Sequence, residues 1–307
     1  VNLPDPSPAG RLDSMPLMDV AQGQHYPAGA LYVVATPIGN LADITLRALH
    51  VLQLADVVAC EDTRHTARLL QAYGLRAPLL AVHEHNEARM TDAVLARLRA
   101  GQRVAYVSDA GTPGISDPGA RLCAAVQRAG LRTVPIPGAS SVTALLSVAG
   151  MTAGPVTIVG FLPPRAAARQ RAWQRCSALN TGLLLLEAPH RIDTLARELA
   201  TFGTRPLTVG RELTKQFEEV ATLPCAAFAA WLDAEPQRRR GEFAVLVHPP
   251  AAPAPDANTA AVSPEALRVL ALLRAELPAS SAARLASAIT GAPRDALYRA
   301  ALAQDPS

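Results

Sequence analysis

Between residues 31 and 150 short apolar runs alternate with helix-capping signals, and this alternation limits the fold more narrowly than any other feature of the chain. The run at residues 31–35 is long enough for a buried strand and too short for a buried helix. Asp43 is placed to cap a helix reaching about Leu54, and residues 57–60 form the next strand. Asp62 or Thr63 then caps a helix that stops at Gly74, and Thr91 caps another that ends near Gly101. Residues 103–107 read as a strand, 117–129 as a helix ended by Gly130, 131–136 as a strand, and 140–149 as a helix ended by Gly150. Strands separated by helices at this spacing imply a mainly parallel sheet covered on both faces.

Gly150–Pro155 reads as a domain junction, and a second α/β pattern follows, again expected to form a mainly parallel sheet. Its strands are expected at 156–161, 182–186, 207–211 and 242–248, and its helices near 166–178, 190–202 and 224–234. The Pro/Ala-rich stretch at 249–262 has the composition of a linker. Ser263-Pro264-Glu265 opens a short helix by the serine-cap, proline-first rule, and two more short helices follow. Residues 1–29 carry no hydrophobic period and read as a disordered leader. The predicted organisation is therefore a leader at 1–29, α/β domains at 30–152 and 153–249, a linker at 250–262 and a helical tail at 263–307.

Composition excludes several function classes. Four cysteines without CxxC spacing argue against a zinc site or a disulfide framework, so no metal is expected. No apolar stretch is long enough to span a bilayer, and the first residues lack the order of a secretory signal, so a cytoplasmic location is expected. A formal charge of +3 permits an anionic partner without requiring one. Lys215 is the only lysine among 29 basic residues, which marks it as a position where arginine does not serve.

In a parallel sheet, ligands bind where strand ends, loops and helix N-termini converge. Three loops sit at such ends: ATPIGNL from Ala35, VSDAGTPGISDPG from Val107, and IPGASS from Ile136. Glycines at 111, 114 and 119 let a ligand approach the backbone, and Asp109 offers an acceptor for a ribose or amino group. The second loop is not GxGxxG, and no acid stands at the dinucleotide spacing, which disfavours a nicotinamide cofactor.

TPIGNLADIT, EDTRHTARLL, SDAGTPGISDPG, PIPGASSVTAL, GFLPP, EAPHRI and RELTKQFEEV occur in this order. Over residues 30–250 the chain resembles the ribosomal RNA small subunit methyltransferase I family, of the tetrapyrrole-methylase class. One departure is Leu186, which stands before Glu187 where the family pattern implies an aromatic residue. The resemblance implies two consecutive α/β domains with S-adenosylmethionine in the cleft between them, no metal, and a homodimer. It further implies methylation of the 2′-hydroxyl of a decoding-region cytidine in 16S ribosomal RNA. Cofactor contacts are implied at Asp109, Ala110, Gly111 and Ile115, at Ala139, Ser140 and Ser141, and at Leu186, Leu213, Phe243 and Ala244.

Methyl transfer to a hydroxyl needs alignment and removal of a proton. Lys215 with a lowered pKa, Glu187, Glu212 and Arg64 are the leading catalytic candidates, with Glu61, Asp62, His190, Arg191, Glu218 and Glu219 nearby. Each has a plainer reading: Asp62 as a helix cap, His190 as a core residue, RELTKQFEE as a solvated face. Arg165, Arg169, Arg171 and Arg175, and the run Arg238–Arg240, are candidate phosphate contacts. Two rival functions are methylation of a corrin precursor and non-catalytic RNA binding. EDTR, EAPHR and RELTK argue against the first, and the intact SDAGTP loop against the second.

Overall fold

A computed structural model describes residues 19–82, 87–114, 119–152, 154–250 and 263–302. The chain divides into two compact units, Val1–Pro250 and Ala251–Ser307. Expectations for residues 1–18, for the cap at Asp117 and for the linker at 251–262 lie outside the described residues. Residues 19–29, within the expected leader, carry the short helix α1 (Asp19–Gln22), and Tyr26 packs against Tyr32 and His50.

The first half of the large unit contains β1 (Ala30–Val34), α2 (Leu46–Leu54), β2 (Val57–Cys60), α3 (Thr63–Ala72), β3 (Leu79–Ala81) and α4 (Glu87–Arg99). β4 (Val104–Val107), α5 (Ala120–Arg128), β5 (Arg132–Ile136) and α6 (Ser141–Val148) complete it. Its sheet has the order β3-β2-β4-β1-β5 and every pairing is parallel. Both faces are covered by apolar clusters, one around Tyr32, Leu52 and Val58, the other around Tyr106, Leu98 and Leu122. Such two-sided burial explains the near-continuous Val/Leu/Ala strands.

Capping chemistry sets the helix starts. Asp62 accepts hydrogen bonds from the Arg64 and His65 amides at the head of α3. Thr45, not Asp43, caps α2: its hydroxyl takes the Ala48 amide, while Asn40 caps a single 3-10 turn that contains Asp43. α4 begins four residues before Thr91.

The second half contains β6 (Val156–Phe161), α7 (Ala166–Ser177), β7 (Gly182–Glu187), α8 (Ile192–Leu199), β8 (Pro206–Arg211), β9 (Glu219–Pro224), α9 (Phe228–Ala234) and β10 (Phe243–Val247). The order is β6-β7-β10-β8-β9. Here the sheet is mixed: β6 and β7 are parallel, while β10 runs antiparallel to both β7 and β8. β8 and β9 are joined by a loop of seven residues and pair antiparallel. One face packs on α7, α8 and α9 through Leu183, Leu185, Ile192, Leu195 and Phe228.

The two halves share a core. Val142 and Leu145 of α6, with Ala149 at its C-terminal cap, pack with Leu184, Ala244 and Leu246 of the second sheet and with Leu213 of the loop after β8. The small unit is three helices, α10 (Pro264–Arg274), α11 (Ala279–Thr290) and α12 (Arg294–Leu302), around Leu270, Ala283 and Leu297. Ser263 caps α10 by accepting from the Ala266 amide.

Leu145 is fully buried in the shared core. Leu145→Ala is expected to lower unfolding stability by about 2–5 kcal/mol, read by urea denaturation. A loss well below that range would mean that α6 is not a load path between the sheets.

Candidate functional site

The strands β4, β1 and β5 are neighbours, so the three loops that follow them emerge side by side. Backbone bonds knit them together. Thr36 and Gly111 exchange N–H···O bonds of 3.0 Å in each direction. The Thr36 hydroxyl donates to the Ser108 carbonyl, and that of Thr112 to the Ala139 carbonyl at 3.1 Å. Gly111 sits at φ 77°, and a Cβ there would press on Ile38 at 3.2 Å, so glycine answers both a backbone and a packing need.

These loops form one wall of a cavity of about 290 Å³ whose other wall is the second sheet. Ala110, Gly111, Ser140, Ser141, Leu186, Leu213, Phe243 and Ala244 all line it, as do Lys215 and Glu187. The remaining expected residues fall elsewhere. Asp109 is outside the wall, and its Oδ1 accepts the Asp62 amide at 3.2 Å, tying the second loop to the EDTR segment. Ala139 lines an adjoining pocket with Gly138, Thr143 and Thr214. Ile115 lies outside the described residues. Arg64 is exposed on α3 and does not line the cavity.

Sequence reasoning missed Ile38, Thr112, Val142, Phe161, Ala188, Pro189, Gly210 and Glu242 among the lining residues. Most are one or two positions from a residue already singled out. Glu242 carried no signal of its own.

Lys215 stands on a loop of unusual backbone. Glu212 has φ 51° and Thr214 φ 68°, left-handed values that non-glycine residues seldom adopt. The Lys215 ammonium donates to Glu212 Oε1 at 2.9 Å and to Glu242 Oε2 at 3.1 Å. Glu212 Oε1 also accepts the Glu242 amide at 2.8 Å. The aliphatic stem of Lys215 lies against Gly39 of the first loop, where any Cβ would collide with Cγ, Cδ and Cε. Partial burial disfavours the ammonium, but its hydrogen bonds to the Glu212 and Glu242 carboxylates outweigh this, so the Lys215 pKa is raised. The expectation of a lowered pKa is therefore corrected: Lys215 keeps its proton.

Glu187 is 1% exposed and fully engaged. Arg169 Nη1 meets Oε2 at 2.9 Å, Arg191 Nη2 meets Oε1 at 2.6 Å, and the Ala188 amide donates to Oε1 at 3.0 Å. Arg169 also forks onto Glu198 at 2.9 and 2.8 Å. Each Glu187 oxygen thus accepts from an arginine, and the carboxylate ties the cavity wall together. Arg169 is likewise committed to internal ion pairs and is no phosphate contact. Arg238 pairs with Glu219 and Glu235, and Arg239 with Asp193 and Asp233, so the basic run is largely neutralised within the fold. Among the described residues no group of three or more metal-ligating side chains converges, and no helix is long and apolar enough to cross a membrane.

The family model for tetrapyrrole (corrin/porphyrin) methylases matches residues 30–229, and one for the RsmI C-terminal HTH domain matches 260–305. A ribosomal RNA small subunit methyltransferase I from Pseudomonas aeruginosa is 46% identical over 90% of this chain and 97% of its own. The chain belongs to the ribosomal RNA small subunit methyltransferase I family. A second family member, from Neisseria meningitidis, is 45% identical over 89% of this chain and 93% of its own. The fold is that of a solved cobalt precorrin-4 methyltransferase, at a TM-score of 0.52 with 18% identity, over 73% of this chain and 98% of that one.

Burial pushes the Glu212 carboxyl up, but hydrogen bonds from Lys215 and the Glu242 amide prevail and hold it below its ordinary 4.5. A lowered folded-state pKa contributes stability above pH 4.5 that is lost as pH falls through the folded value. Glu212→Gln should therefore lower stability at neutral pH and flatten its acid dependence below pH 4.5. Denaturation followed from pH 7 to 3 reads both effects, and an unchanged acid slope would detach Glu212 from the Lys215 loop.

Proposed function

We propose that this chain transfers a methyl group from S-adenosylmethionine to the 2′-hydroxyl of a cytidine in the decoding region of 16S ribosomal RNA. One observation carries the reading. Curated relatives named for small-subunit ribosomal RNA methylation cover nearly the whole chain, and the cavity joins a glycine loop to the only lysine. The residues fit the cofactor. A cavity of about 290 Å³ with apolar walls and a few convergent polar groups is suited to a small organic molecule. Ala110, Gly111, Ser140 and Ser141 would hold its polar parts by backbone and hydroxyl groups, and Leu186, Leu213, Phe243 and Ala244 its apolar faces. When bound, the cofactor supplies an electrophilic methyl group on a sulfonium.

The chain's own task is to fix the attacking hydroxyl and dispose of its proton. A protonated lysine has three N–H donors and no acceptor, so Lys215 cannot be the base. Two donors are spent on Glu212 and Glu242, and the third is left to hold the acceptor oxygen as negative charge develops on it. Glu242 lies on the cavity wall with a side chain 75% exposed, and is the carboxylate suited to take the hydroxyl proton and release it to water. Arg64, Asp109 and Ala139 lie outside this wall. A homodimer working in the cytoplasm completes the reading, and the helical tail is assigned to substrate engagement.

The test is tritiated methyl transfer to small subunits, free 16S RNA and a corrin precursor. Label in an alkali-resistant, cytidine-containing dinucleotide from the subunit is expected; label on a base or on the corrin alone would refute it. Lys215→Arg should then lower single-turnover methylation roughly a hundredfold, with cofactor affinity and melting temperature little changed. A near-normal rate would leave Lys215 a structural ion pair.

A further inference from the structure

Phe161 ends β6 at the cavity, and the register of that strand explains how it gets there. Val156, Thr157 and Ile158 pair with Gly182, Leu183 and Leu184 in regular sequence, then Gly160 and Phe161 pair with Leu185 and Leu186. Val159 is the extra residue of a β-bulge, and Gly160 takes the φ of 67° that the bulge needs. Side chains opposite one another in register share a face. Leu183 and Leu185 face the α7–α8 core, whereas Leu184 faces the shared core and Leu186 the cavity. Without the bulge Phe161 would oppose Glu187 and turn toward the α7–α8 core. With it, Phe161 stands beside Leu186 on the cavity wall.

The outcome is an aromatic ring left 51% exposed, in a chain with only 4% aromatic residues. The other aromatic residue of the lining, Phe243, is 2% exposed and packed in the core, so Phe161 offers the ring with an open face. Its neighbour in the sheet is the aliphatic Leu186. A half-exposed ring on the cavity wall matches a flat heteroaromatic partner, because bases splayed from single-stranded RNA stack on such rings.

We propose that Phe161 is the stacking face for the nucleobase of the acceptor nucleotide, positioned by the Val159 bulge. The inference rests on the RNA-methylation reading above. It predicts a split between substrates: the ring touches the acceptor base and leaves the cofactor alone.

The experiment uses the full chain and four variants, Phe161→Ala, Phe161→Leu, Phe161→Tyr and Ile158→Ala. The KM for small subunits is measured by methyl transfer, and the affinity for S-adenosylmethionine by calorimetry. Alanine and leucine variants should raise the KM roughly tenfold with unchanged cofactor affinity, which also shows that they fold. The tyrosine variant should restore it, since it keeps the π-face. Ile158→Ala, on an exposed apolar side chain of the same strand, should match the wild type. A leucine variant equal to wild type overturns the stacking role while leaving RNA methylation intact. Loss of cofactor affinity in both truncations overturns it too, by placing the ring on the cofactor. A wild-type protein that fails to methylate the subunit removes both readings together.

Discussion

The Glu212 carboxylate is the constraint on which the second wall of the site depends. One oxygen accepts from both the Lys215 ammonium and the Glu242 amide, and so closes a loop between the ends of β8 and β10. Left-handed backbone at Glu212 and Thr214 costs about 1–3 kcal/mol at each residue, and persists only where the surroundings over-determine it. Gly241 leaves the room that Glu212 needs, since a Cβ there would collide with its carboxylate. The result directs the Lys215 stem across Gly39, so the second sheet's loop is seated on the first half's first loop.

On the opposite wall the fixed parts are backbone, not side chain. The paired bonds between Thr36 and Gly111 and the Thr112–Ala139 contact join three loops from three adjacent strands. Such a wall keeps its shape without a ligand, which suits a cavity whose task is alignment. The ion pairs around Glu187 do the same work behind β7: Arg169 and Arg191 hold the strand end.

The first domain was legible because its strands are buried on both faces and its helices begin at side-chain caps. β3 escaped notice because three residues after Pro78 make too short a signal. β9 escaped because it is an edge strand with alternating half-buried and exposed residues, following a polar loop that reads as a solvated face. Missing it, and reading β10 as one more strand of a parallel set, hid the mixed character of the second sheet. Motif spacing brought Gly111, Ser140, Leu213 and Lys215 to one cavity. Charge assignments were harder to read. Whether a lysine between carboxylates loses or keeps its proton depends on distances of about 3 Å that spacing does not give. The cavity-facing turn of Phe161 depends on one extra residue in β6, which no local pattern marks.

In the proposed reaction Lys215 works as a permanent ammonium, its pKa raised by the two carboxylates it donates to. As the only lysine in the chain, it gives a single side-chain resonance when the protein is labelled with ¹³C- or ¹⁵N-lysine, with no mutation required. Titrating that resonance reads its protonation directly. A midpoint above the ordinary lysine value of 10.5, moving down when Glu212 is replaced by glutamine, is the predicted result. A midpoint near neutral pH would make Lys215 a base and contradict the account.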